Sequence, residues 1–74
     1  KLYPNPAKNF LNLELGNSSE FTSYSIIDIS GKVLAEQTIT SENNIIPVNH
    51  LSDGFYILKL DGNNFSTTKK FIKN

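Results

Sequence analysis

Apolar side chains recur along this chain at every second residue, and no stretch of 11 or more residues carries them at the i, i+3, i+4, i+7 spacing of a helix. In "FLNLEL", Leu11, Leu13 and Leu15 alternate with Asn12 and Glu14, the pattern of a strand with one buried face. Gly16-Asn17-Ser18-Ser19 breaks it. "SYSIIDI" follows, with Tyr24 and Ile26 predicted inward and Ser25 outward, and Ser30-Gly31 punctuates. In "KVLAEQTI", Val33, Ala35, Gln37 and Ile39 share a face opposite Leu34, Glu36 and Thr38. Apolar residues on both faces near its start predict a strand covered on both sides there, or twisted across an edge. "NIIPVN" is a short strand whose Pro47 lacks an amide donor, which places it at a sheet edge or a bulge.

The strongest element comes after the Asp53-Gly54 turn signal. "FYILKL" puts Tyr56, Leu58 and Leu60 on one face, with Phe55, Ile57 and Lys59 on the other. Asp61-Gly62 then reads as a hairpin turn, since glycine tolerates positive φ. A last strand, "FSTTKKFIK", ends in Phe71, Ile72 and Lys73. Six or seven short, mainly antiparallel strands with turn signals between them predict an all-β protein, a sandwich rather than a closed barrel. Strands this short and interrupted leave edges that Pro and Lys protect.

Composition narrows the picture. A single domain of 74 residues buries only about 60% of its unfolded surface. The chain has no cysteine to brace it with a disulfide or a thiolate metal site. Any signal peptide is expected upstream of Lys1, and no apolar run approaches the ~20 residues that cross a bilayer, which predicts a soluble domain. The formal charge is zero and every basic residue is a lysine, which argues against a nucleic-acid partner. The balance is uneven, however: Lys69, Lys70 and Lys73 make the C-terminal strip cationic, with no acid beside them.

Candidate chemistry is thin. His50, the only histidine, sits in the turn "VNHLSDG", where exposure is the ordinary state, and no second His or Cys completes a zinc site. The carboxylates Glu14, Glu20, Asp28, Glu36, Glu42, Asp53 and Asp61 are scattered singly, with no pair placed for acid–base work. "DISGK" is too short for a phosphate loop. Asp28, alternating with Ile26, either caps the Ser30-Gly31 turn with its carboxylate or contacts a ligand; the cap is the commoner role. Sequons at Asn17 and Asn64 are no more than an Asn-rich chain yields by chance. No catalytic residue, metal site or cofactor is predicted, and the protein is not expected to be an enzyme. A binding, docking or addressing module remains.

The order of the motifs is more telling than any one of them. "LYPNPAKNFLNLEL", "YSIIDISGKVL", "VNHLSDGFYILKL" and "KKFIKN" together resemble the type A C-terminal sorting domain of type IX secretion cargo from Bacteroidetes, over essentially the whole chain. Tyr3, Pro4, Asn5 and Pro6 match the leading motif. Asp28, Gly31 and Lys32 match the central Asp-x-x-Gly-Lys/Arg turn; Leu51, Gly54 and Tyr56 match Leu-x-x-Gly-x-Tyr; Lys70 and Lys73 match the basic ending. Pro47 departs from the family pattern.

The resemblance implies a small immunoglobulin-like β-sandwich, residues 1–74, led by an extended segment over 1–9 from an upstream cargo. It implies a non-enzymatic address, carried through the periplasm and read at the outer membrane. A sortase-like peptidase then removes it, leaving the cargo on the cell surface or released. Within it, Lys69, Lys70, Phe71, Ile72 and Lys73 are the candidate recognition element, by addition of a partner strand to an open edge. Lysines guarding that edge against aggregation are an equally weighted alternative. The competing function is a carbohydrate-binding or adhesion sandwich of a secreted enzyme, which a face with two or three exposed aromatics would favour.

Overall fold

A computed structural model describes residues 1–16 and 20–74, so the sequon at Asn17 and most of the first polar break lie outside the described residues. The described residues form seven strands: β1 (Leu2–Tyr3), β2 (Phe10–Glu14), β3 (Phe21–Asp28), β4 (Val33–Thr38), β5 (Asn43–Pro47), β6 (Gly54–Gly62) and β7 (Ser66–Lys73). No helix occurs among the described residues. They form a three-stranded sheet ordered β1-β2-β5 and a four-stranded sheet ordered β4-β3-β6-β7, with every strand pairing antiparallel. The protein is an all-β sandwich.

Period-two burial builds its core. Leu11, Leu13 and Ile46 project from the smaller sheet, and Tyr24, Ile26, Tyr56, Leu58, Leu60 and Phe71 from the larger. Removing these side chains from water supplies most of the favourable free energy, at about 25 cal/mol per Å² of apolar surface. Pro47 ends β5, an edge strand, opposite Phe10, so its missing amide falls where the sheet stops.

Two local expectations need correction. A register shift at Ile26/Ile27 pairs Ile26 with Ala35 and Ile27 with Val33, so Leu34 is the extra residue of a bulge. Val33 and Ala35 therefore do not share a face: Ala35 packs against the core while Val33 stands outside. Second, Asp61 and Gly62 continue β6, and the hairpin closes beyond them through Gly62 N–H donating to the Phe65 carbonyl at 2.8 Å. Gly62 is needed for closeness, not for positive φ: a Cβ there would lie 2.6 Å from the Phe65 ring and 2.8 Å from the Glu20 carbonyl oxygen. Ser25 faces outward as expected, yet it is buried between its cross-strand neighbours Glu36 and Lys59.

Candidate docking site

The chain's distinctive motifs meet at one end of the larger sheet. Asp28, Tyr56 and Phe71 stand abreast on β3, β6 and β7. Beyond Asp28 the chain must reverse direction within four residues. Its Oδ1 accepts hydrogen bonds from Ser30 N–H at 3.0 Å, Ser30 Oγ–H at 2.7 Å and Lys32 N–H at 2.9 Å. Gly31 takes a φ of +94°, a left-handed conformation that a Cβ would disfavour. The bond from the Ser30 hydroxyl, then those from the backbone, hold the Asp28 carboxyl below its ordinary pKa of 3.8.

Tyr56 closes the next loop. Its hydroxyl donates to the Ser52 carbonyl at 2.6 Å, tying strand β6 to the loop that leads into it, much as the tyrosine corner does in immunoglobulin-like sandwiches. Its ring stacks on Phe71 with centroids 5.6 Å apart. Leu51 packs against the core from the same loop, and Gly54 opens β6 opposite Lys73.

The leading segment joins this end as a clasp. Asn5 Oδ1 accepts from Ile72 N–H at 2.9 Å, Ala7 N–H donates to the Ile72 carbonyl at 2.8 Å, and Asn74 N–H donates to the Ala7 carbonyl at 2.8 Å. Ala7 and Lys73 form a parallel bridge. Both the Tyr3–Pro4 and Asn5–Pro6 peptides are cis. Tyr3 itself belongs to the other sheet: it pairs with Asn12, and its hydroxyl donates to Glu14, which raises the phenol pKa.

The five residues Lys69 to Lys73 divide. Phe71 is fully buried and Lys73 nearly so, its Nζ 3.8 Å from an Asp53 carboxylate, while Lys69 and Lys70 are exposed. Backbone groups alternate in direction along a strand. Since Ile72 turns its N–H and C=O to the clasp, Lys70 and Thr68 turn theirs to the same edge, where no described strand pairs with β7.

Comparison with known families decides what this end belongs to. The secretion system C-terminal sorting domain family matches the chain over residues 1–74. The chain belongs to that family. No curated protein matches it. It is therefore a type IX secretion sorting signal, implying a Bacteroidetes source, interaction with the type IX machinery, and export to the cell surface or beyond. The family is one of addresses rather than of enzymes.

Elsewhere on the sorting domain, His50 lies at the rim of a groove of about 440 Å³ between β4 and β5, with Gln37, Asn44 and the Tyr24 ring. Among the described residues no group of three or more His, Cys, Asp or Glu could hold a metal. No helix long and apolar enough to cross a membrane occurs among the described residues. Sequence reasoning overlooked one surface. The outer face of the larger sheet is apolar near the clasp, where Phe55 and Val33 are 55% and 51% exposed and Ile29 is 81% exposed. The alternation Ile27-x-Ile29 and Phe55-x-Ile57, on the faces opposite the core residues, was the available signal.

Proposed function

We propose that this sorting domain addresses an upstream cargo to the type IX translocon through its C-terminal strand, after passage through the periplasm. A sortase-like peptidase then removes it, and the cargo is left on the surface or released. Lys69, Lys70 and the open backbone edge of β7 are the recognition element, with the Tyr3-Pro4-Asn5-Pro6 segment marking where the address begins. The observation that carries this reading is the edge itself: β7 is closed by Asn5 and Ala7 at Ile72 and open at Thr68 and Lys70, beside lysines without ion-pair partners among the described residues.

Deleting "KKFIKN" would be a poor test, because it removes the buried Phe71 along with the exposed lysines. The informative experiment fuses residues 1–74 behind a periplasmic reporter in Bacteroidetes hosts with and without the secretion system. Export that requires the system, and falls in the Lys69→Gln/Lys70→Gln double variant, is the expected result. Equal export from both hosts, or an unaffected double variant, overturns the reading. Glycan binding is not favoured: of the exposed aromatics, Phe10 and Phe55 lie on opposite outer faces of the sandwich, and Phe65, packed on Phe21, stands beyond the far end of β6 from Phe55.

A further inference from the structure

The outer face of the four-stranded sheet carries a second feature, which shares only Lys70 with the edge. Val33, Ile27, Ile57 and Lys70 stand abreast across β4, β3, β6 and β7. Phe55 and Ile72 form the next cross-strand pair toward the clasp. Between Ile29, Phe55, Ile57 and Lys70 lies a pocket of about 350 Å³. The other half of the same face is polar, with Ser25, Glu36, Lys59 and Thr68 in the following row. Contiguous apolar surface with a polar margin marks an interaction site rather than ordinary exposure.

Charge selects the occupant. Among the described residues Lys70 is the one cation in the rows of this half of the sheet, and it makes no ion pair there. No carboxylate stands in either apolar row. A second copy of the chain, presenting the same face, would bring an ammonium group against apolar side chains or against its like, with nothing to neutralise it. An anionic lipid surface would call for a cluster of cations, and the chain as a whole is neutral. A partner protein that offers large apolar side chains around a carboxylate answers both the pocket and Lys70.

We infer that the apolar half of this face, centred on Phe55, Ile29 and Lys70, is a docking surface for an acid-bearing apolar segment of a partner protein. The inference rests on the sorting reading for its assay, and goes beyond it in adding to the β7 edge a second contact surface on the outer face, shared through Lys70. The same reporter fusion tests it, with resistance of the domain to protease confirming that each variant is folded. Phe55→Ser/Ile29→Ser and Lys70→Glu are each expected to lower export at least about tenfold. Lys70→Arg should retain more export than Lys70→Gln. Combining Lys70→Glu with Phe55→Ser should add little to either alone, because both remove one contact. Glu36→Gln, on the polar half of the face, should leave export unchanged.

If the unmodified fusion is not exported, the sorting reading fails. If it is exported and the Phe55 and Ile29 variants are exported equally well, the sorting reading stands and this inference is overturned. Two further outcomes also overturn it. One is a fusion that elutes as a dimer in gel filtration and becomes monomeric with Phe55→Ser. The other is flotation with vesicles of phosphatidylglycerol that Lys70→Glu abolishes.

Discussion

Two single residues show how little material makes each turn of this domain. Asp28 carries the β3–β4 turn on one carboxylate oxygen. Its folded pKa lies below the ordinary 3.8, so its stabilising contribution is fully present above the unfolded value and is lost as pH falls through the folded one. Asp28→Asn removes that titration. Between about pH 5 and about pH 2 the melting temperature of the natural sequence should therefore fall further than that of the variant; parallel acid profiles would show that the turn does not couple to protonation. Gly62 works through absence. With the Phe65 ring and the Glu20 carbonyl both within 2.8 Å of where a Cβ would stand, Gly62→Ala forces them to shift, and a loss of about 1–3 kcal/mol in urea denaturation is expected. A loss within error of zero would mean the hairpin yields freely.

Among the elements, the clasp over β7 has the most specific consequence. Asn5→Ala removes the acceptor for Ile72 N–H, at a cost of about 1 kcal/mol. Amide exchange should speed up at Ile72 while Phe71, whose N–H faces β6, keeps its protection; unchanged exchange at Ile72 would show that the clasp does not hold. The elements also show what a linear pattern can and cannot reveal. β2 and β6 were legible because each has one buried face, and strict alternation of Leu11/Leu13 and Tyr56/Leu58/Leu60 reports it directly. The β3–β4 bulge was not, because one extra residue changes which face Val33 occupies without changing the composition of the strand. The clasp was beyond reach for a different reason: Asn5 and Ile72 are 67 residues apart, and nothing local in "YPNP" names its partner. The motifs of the candidate site could be read in order, yet their convergence on one end of the sheet comes from register, which the chain encodes only through pairing. Lys73 reads in the sequence as one member of a cationic strip and of the recognition element, and its burial follows from lying two residues beyond Phe71 on the core-facing side.

For the whole molecule, the question is whether the machinery reads a folded surface or a string of residues. Seventy-four residues without a disulfide support a stability of roughly 4–11 kcal/mol. Leu58 is fully buried at the centre of β6, between Ile26 on β3 and Lys69 on β7, with its side chain on the core side of the sheet. Leu58→Ala should cost about 2–5 kcal/mol, a large share of the total, while leaving every exposed motif residue in place. If recognition depends on the folded face and edge, export of the fusion should fall as temperature is raised toward the lowered melting point of this variant, and recover on cooling. The Lys70→Glu variant, whose core is intact, should instead show a deficit that does not change over the same range. Leu58→Ala export that stays level through its own unfolding transition would mean that the C-terminal residues are read as an extended peptide. The sandwich would then serve to keep that peptide protected until it is needed.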